Sequence, residues 1–310
     1  VIPLYNKEDY IAETIKTVLN QTFQNFEVLI INDGSTDNSL NLVTNLDDNR
    51  IRVFNQENAG VSAARNKGIQ KATSNFIAFL DADDTWQIDY LETIETLIQK
   101  FPGCDVYSTN YNVKDSIGKL HKPVIKGLPS ENWQGIIYDY FRIAYQSDPI
   151  LFTSAVTVRK EAILEISGFP EGVTSGEDLI TWARLASRGK IAYSTNSCVT
   201  FNLRKSGVPL ADRLPDKSDF VGKALYQLIS KSNKKFLRRY IGLWYKMRGV
   251  QFLNSGKNKK AFKEFIISLA NSKHDLKVYI YLLITCLPKR LVAWIIFTIE
   301  KIKTKHRKLN

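Results

Sequence analysis

Three cysteines in 310 residues, Cys104, Cys198 and Cys286, are odd in number and far apart. They fit neither a disulfide framework nor the paired spacing of a zinc site. They are read as small core residues of a protein kept in a reducing compartment. No apolar run reaches the ~18–20 residues that a membrane-spanning helix needs. The apolar runs 278–287 and 291–299 are separated by Pro288-Lys289-Arg290. No basic stretch followed by an apolar one opens the chain, so no secretory signal is visible. The first residue is not Met, and Val1-Ile2-Pro3-Leu4 already reads as the end of a buried strand. A few native residues are therefore expected ahead of it.

What is present is an ordinary globular composition, 44% apolar and 24% charged, which excludes a disordered or fibrous chain. The net charge of +12 is unevenly spread. Residues 1–216 hold 21 Lys and Arg against 27 Asp and Glu, whereas 217–310 hold 22 against 4. Such a step marks two functional regions, the second drawn to something anionic.

The first hundred residues alternate strand and helix signals. Apolar, β-branched runs at 2–4, 26–31, 51–54 and 76–80 read as strands, and helical spacing falls at 11–19, 37–46, 61–72 and 86–100. Continuous apolar strands between helices imply a parallel sheet covered on both faces. Strands are expected again at 105–113, 155–158 and 191–201, and helices at 133–145, 161–167 and 178–187. The Pro-containing stretch 207–219 is the candidate linker, and beyond it the pattern is helical. Trp244, Gly249, Ala261 and Phe265 resemble one tetratricopeptide unit, too few for a solenoid. An ordinary helical hairpin is the favoured reading of them.

Polar groups gather where these strands end: Tyr5 to Glu8, Asn32 to Asp37, Asn58 to Gly60, and Asp81 to Asp84. In an open parallel sheet that rim is where ligands bind. Asp81, Asp83 and Asp84 repel one another unless a cation neutralises them, and a hard divalent ion does so with oxygen ligands. Asp81, Asp83 and Glu92 match EF-hand loop positions 1, 3 and 12, but Trp86 stands where that loop needs glycine. A cation held by only one or two protein carboxylates is the kind that bridges substrate phosphates. Arg65 suits a pyrophosphate or ribose contact, or a plain surface ion pair. Glu177-Asp178 opens a helix, whose dipole favours ionised carboxylates.

Five segments in order then carry a resemblance. They are Val-Ile-Pro-Leu-Tyr-Asn at 1–6, Asn-Asp-Gly-Ser-Thr-Asp at 32–37, Asn-Ala-Gly-Val-Ser-Ala-Ala-Arg-Asn-Lys-Gly at 58–68, Phe-Leu-Asp-Ala-Asp-Asp-Thr-Trp at 79–86, and Gly-Glu-Asp-Leu at 176–179 followed by Trp182 and Arg184. Residues 1–200 resemble glycosyltransferase family 2. The resemblance implies an α/β GT-A fold, a Rossmann-like, mostly parallel sheet with helices on both faces, over 1–210, with a basic helical region at 211–310. It implies an inverting, metal-dependent transfer of a hexosyl or N-acetylhexosaminyl group from a nucleotide sugar, a UDP-sugar, to an acceptor hydroxyl. Pro3, Tyr5 and Asp33, with Glu8, would hold the nucleobase, and Arg65 would contact the nucleotide. Asp81 would touch the ribose. Asp83, with Asp81, would hold Mn2+ or Mg2+ on the diphosphate, and Asp178 would be the general base with Glu177 beside it.

The chain departs from the family at Ile88, where proline is frequent, and no His follows Arg204. The Gln-x-x-Arg-Trp signature of processive synthases is absent, which implies one sugar per encounter. A nucleotidyltransferase is the first alternative, disfavoured because Tyr5-Asn6-Lys7-Glu8 holds no glycine. A catalytically inactive scaffold is the second. The acceptor implied is a glycan or lipid-linked glycan of bacterial surface polysaccharide assembly. The basic segment 276–310 reads either as a buried helix pair or as an interfacial anchor that meets an anionic membrane surface, rather than nucleic acid, as a peripheral protein on the cytoplasmic face.

Overall fold

Short polar loops alternate with apolar runs through the first hundred residues, and each run becomes a strand or the buried face of a helix. In the computed structural model, which describes residues 1–129, 132–203, 215–216, 218–230, 234–287 and 291, the chain divides into the units Val1–Gly207 and Val208–Asn310. The candidate linker at 207–219 and the segments 292–299 and 301–308 lie largely outside the described residues.

The first unit opens with β1 (Ile2–Leu4), α1 (Ile11–Leu19), β2 (Val28–Asp33), α2 (Ser39–Thr44), β3 (Ile51–Gln56) and α3 (Val61–Lys71). The strands form a parallel sheet in the order β1-β2-β3. All six residues of the central strand β2 are buried, and burying each large apolar side chain stabilises the fold by ~1.5–3 kcal/mol. Ile11, Ile15 and Val18 on α1 pack into the same core as Ile2, Leu4 and Ile30.

The chain continues through β4 (Phe76–Ala78), β5 (Thr85–Trp86), α4 (Tyr90–Lys100), β6 (Val106–Lys114), β7 (Leu120–His121), β8 (Gln134–Ile137), α5 (Tyr140–Ala144), β9 (Val156–Arg159), α6 (Lys160–Glu165), α7 (Glu177–Ala186) and β10 (Ile191–Asn202). Here the expected mostly parallel sheet continues into a mixed part. β4 pairs antiparallel with β9 and belongs to a second, mixed sheet ordered β4-β9-β6-β10-β5, with β7 on β6 and β8 on β10. Val1 joins the two sheets, its amino group donating to the Ala78 carbonyl at 2.8 Å and its carbonyl accepting from Leu80 N at 3.1 Å.

Two helices are shorter than their apolar periodicity implies. The segment 133–145 begins as β8, paired with β10, and turns helical only at Tyr140, where Asp139 caps the new helix by accepting from Arg142 N at 3.1 Å. Trp86 is a strand residue opposite Val199, and its helix starts at Tyr90.

The second unit contains α8 (Phe220–Gln227), α9 (Lys234–Asn254), α10 (Asn258–Asn271) and α11 (Leu276–Thr285). α9 and α10 are a helical hairpin whose core is Phe252, Ala261 and Phe265, with Val278 and Ile284 from α11. Gly249 permits it, since a Cβ there would lie 2.4 Å from the Phe265 ring. Buried Arg248 grips Glu264 at 3.0 and 3.1 Å. Among the described residues no helix is long and apolar enough to cross a membrane. All three cysteines are free; Cys104 and Cys198 are buried as expected, whereas Cys286 is exposed.

Gly34 ends β2 with φ +74°, and a Cβ there would sit 3.0 Å from Asn58 N. The left-handed conformation alone costs an L-residue ~1–2 kcal/mol. Gly34→Ala should lower the urea midpoint by at least that free energy with the m-value unchanged, and an unchanged midpoint would show that the loop relaxes freely.

Candidate functional site at the carboxyl rim of the first sheet

The loops leaving β1 and β2 are laced together. Asn6, at φ +50°, accepts from Thr36 N at 2.8 Å and donates to Thr36 Oγ1 at 3.2 Å. Lys7 N donates to the buried Ser39 Oγ at 2.7 Å. Pro3 is half-buried on β1 opposite Ile31, and Tyr5 is exposed on the loop that follows. The Glu8 carboxylate, expected near a nucleobase, accepts from Asn38 N at 2.8 Å, and Asp37 accepts from Ser39 N at 2.9 Å. Both carboxylates thus face the start of α2, where the helix dipole favours negative charge.

Asp33 does the same for α3. It is 3% exposed, and accepts from Gln56 Nε2 at 2.7 Å and from Ala59 N and Gly60 N at 2.9 Å each. A carboxylate has about four acceptor directions, so the candidate base-binding Asp33 has one left. Its ties also hold the loop that aims α3.

The acidic loop after β4 is fixed by the segments around β9 and β10 of the same mixed sheet. Asp81 N donates to Ser154 Oγ at 3.1 Å, Ser154 Oγ donates to Asp84 at 2.5 Å, and Trp86 Nε1 donates to the Ser154 carbonyl at 2.7 Å. Asn202, at the end of β10, donates its backbone N–H to Asp84 at 3.1 Å and its side-chain amide to the Asp83 carbonyl at 2.8 Å. Asp84 is 1% exposed. Burial, reinforced by the charges of Asp81 and Asp83, pushes its carboxyl well above the ordinary range. It is therefore a buttress, and Asp81 and Asp83 are the pair left facing the rim. Lys7 Nζ forms an ion pair with Asp83.

Arg65 was expected at the nucleotide. It is only 3% exposed, and its guanidinium lies over the Phe169 ring at 5.1 Å. NH2 donates to Asp81 at 2.7 Å and NH1 lies 3.5 Å from Glu177. Burial works against its charge, but the carboxylates of Asp81, Glu177 and Asp178 hold it above its ordinary value. Arg65 is thus tied to Asp81 and Glu177 at the rim, with little of its own surface exposed. Phe169 stacks edge-on against Phe79 and Trp182, so an aromatic floor fixes the guanidinium's plane.

Glu177 and Asp178 begin α7. Burial raises both carboxyls above the ordinary range, with Asp178 adding to the effect on Glu177 and Arg65 opposing it in each. Asp178 accepts from Leu179 N at 2.7 Å. A half-buried carboxylate with raised proton affinity, backed by a fixed cation, is suited to proton abstraction. Among the described residues no group of three or more His, Cys, Asp and Glu side chains could hold a metal alone. Asp81 and Asp83 are two hard oxygen donors at an open rim, which fits an ion whose remaining ligands come from phosphate and water. A cavity of about 460 Å³ lies at the amino ends of β1, β2 and β4, away from this chemistry.

Sequence reasoning passed over Lys7, Ser154 and Asn202. Lys7 lies in the polar group Tyr5 to Glu8 and could have been weighed as the counter-charge to Asp83. Ser154 and Asn202 carry no local signal.

An acidic loop at the carboxyl rim of a parallel half-sheet, braced by a mixed half, is the layout of the GT-A class. S. aureus TarS residues 1–349, solved in complex with UDP-GlcNAc, superposes with a TM-score of 0.66 at 19% identity, covering 94% of this chain and 89% of that one. A mannosyltransferase from Pyrobaculum calidifontis, solved with GDP-Man and Mn2+, superposes with a TM-score of 0.57 at 17% identity, covering 91% and 76%. The chain belongs to glycosyl transferase family 2, whose family profile matches residues 1–166. An uncharacterized glycosyltransferase of Rickettsia conorii is 36% identical over 192 residues, 62% of this chain but 30% of that protein. The putative teichuronic acid biosynthesis glycosyltransferase TuaG of Bacillus subtilis is 30% identical over 203 residues, covering 64% and 75%. The chain thus spans under a third of the length of the Rickettsia relative.

Because the Asp84 carboxyl binds its proton more tightly when folded, its contribution to stability falls as pH rises from the ordinary carboxylate range through its raised value. Asp84→Asn keeps partners for Ser154 and Asn202 without the charge. It should be at least as stable as wild type in urea at pH 8, with the difference shrinking toward pH 5. Asp84→Ala should lose ~1–3 kcal/mol. An Asn variant weaker than wild type at pH 8 would mean that the buried charge itself stabilises.

Proposed function

We propose that this chain is a metal-dependent, inverting glycosyltransferase that moves one sugar per encounter from a UDP-sugar to an acceptor hydroxyl. The observation that carries the reading is the convergence of Asp81 and the Glu177–Asp178 pair on Arg65, at 2.7 and 3.5 Å. A donor-side carboxylate and a base are thereby held in one rigid frame. The family, and the UDP and UDP-GlcNAc complexes of its structural neighbour TarS, support it.

In this reading Pro3 and Tyr5 line the base pocket, with Asp33 and Glu8 shaping its edges, and Asp81 meets the ribose. Asp83, with Asp81, would hold Mn2+ or Mg2+, which supplies positive charge to the leaving diphosphate. Lys7, which pairs with Asp83, would share that carboxylate's charge with the ion. Asp178 takes the proton of the acceptor hydroxyl as its oxygen forms the new bond to the anomeric carbon. The bond to the diphosphate breaks on the opposite face, and the pair of electrons leaves with it, inverting the centre. The acceptor is a glycan or lipid-linked glycan of surface polysaccharide assembly, in keeping with the similarity to TuaG.

EDTA should abolish transfer and Mn2+ restore it. Asp178→Asn should lose most of kcat while calorimetric UDP affinity stays near wild type. The acid limb of the kcat/KM profile should lie above the ordinary carboxylate range, because base function is lost as pH falls through a raised value. Full activity without metal, or lost UDP binding in Asp178→Asn, would remove the corresponding role.

The membrane surface is proposed for the second unit. α11 exposes Leu276, Tyr279, Ile280 and Leu283, spaced along one helical stripe, in a region carrying 22 Lys and Arg against 4 acids. Leu276→Ser with Leu283→Ser should reduce co-flotation with anionic liposomes by about tenfold or more. Unchanged flotation would return the helix to a packing role.

A further inference from the structure

The hairpin from β6 into β7 is a second candidate contact surface, on the catalytic unit itself. Residues 114–126 read Lys-Asp-Ser-Ile-Gly-Lys-Leu-His-Lys-Pro-Val-Ile-Lys, with lysines at 114, 119, 122 and 126 and a single acid, Asp115. That acid is spent inside the turn. It accepts from Ile117 N at 3.0 Å and Lys119 N at 2.9 Å, and it pairs with His121 Nε2 at 2.8 Å. The turn is therefore a stiff, preset shape, with its negative charge facing inward. Ile117 is 74% exposed, Leu120 54% and Val124 59%.

Downstream, the segment is pinned to the body: Val124 N donates to Asp148 at 2.8 Å, Asp148 N to the Val124 carbonyl at 3.0 Å, and Lys126 N to Ser147 Oγ at 2.9 Å. Upstream, Lys114 lies in register with Asn202, and Leu203 N donates to the Lys114 carbonyl at 2.9 Å. Asn202 is the residue that fixes the acidic loop. The hairpin thus projects from the strand end bordering the candidate active site.

We propose that this hairpin docks the catalytic unit on an anionic lipid bilayer, with Ile117, Leu120 and Val124 entering the headgroup layer and the four lysines meeting lipid phosphates. Apolar tips ringed by ammonium groups on long stems match that interface, where the stems reach outward while the apolar side chains sink. A soluble polyanion would pair the lysines but leave the three apolar side chains in water. The contact is separate from the α11 stripe and does not depend on the transfer chemistry.

The test uses the full chain with Cys286→Ser, the exposed thiol removed, and Ile117→Cys labelled with an environment-sensitive fluorophore. Vesicles of phosphatidylglycerol in phosphatidylcholine should brighten and blue-shift the label, brominated acyl chains should quench it, and pure phosphatidylcholine should do neither. Lys119→Glu with Lys126→Glu should weaken the label's vesicle response by at least about tenfold, with calorimetric UDP affinity unchanged. Flotation with no response at position 117 would overturn the proposal, since the chain would then bind through another surface. A response to a soluble anionic polysaccharide but not to vesicles would also overturn it, in favour of a glycan contact.

Discussion

Five carboxylates, Asp81, Asp83, Asp84, Glu177 and Asp178, crowd the carboxyl rim of this fold, and the surrounding structure is arranged to keep them from driving it apart. Like charges a few ångströms apart in a partly desolvated cleft repel far more strongly than in water. The chain answers in three ways. Arg65 lies between the Asp81 and Glu177 segments, Lys7 neutralises Asp83, and Asp84 is buried so fully that its carboxyl favours the protonated form. The position of α3 follows from the first answer, because Arg65 reaches both segments only if the helix begins where Asp33 holds its first turn.

The two sheets divide the labour. The parallel strands supply the loops at 5–8, 32–37 and 58–60, whereas the mixed sheet carries the acidic loop together with the brackets, Ser154 and Asn202, that hold it from behind. Polar side chains bracketed in this way lose little freedom when a ligand arrives, which is what a preorganised electrostatic site needs. The Lys-rich hairpin springs from β6, which pairs with β10, so its geometry and that of the acidic loop are linked through that pairing.

Much of this could be read from the chain alone, for reasons visible in particular residues. The loops at 32–37, 58–60 and 81–84 are local: their residue types and spacing follow directly from turn, cap and charge rules. The first sheet was legible because 26–31 and 51–54 are short apolar runs between helical patterns. The second was not, because strand direction depends on which distant edge a strand meets, and β4 meets β9 some eighty residues away. Residues 133–145 misled because Ile136, Ile137, Tyr140 and Phe141 suit a helix face as well as a strand followed by a helix. Only the pairing of β8 with β10 decides between them. Arg65 was legible as a residue of the rim, but its partners were not, since it is buried against Phe169.

The helix starts around the rim have a further consequence. Amide groups at the beginning of α2 bond to Glu8 and Asp37, those leading into α3 bond to Asp33, and one in the first turn of α7 bonds to Asp178. In dinucleotide-binding sheets such amides cradle the phosphates directly, and the backbone supplies the positive pole. Here that pole is already quenched by the chain's own acids. An anion approaching this rim therefore meets a backbone pole already turned on the chain's own carboxylates rather than an open cradle.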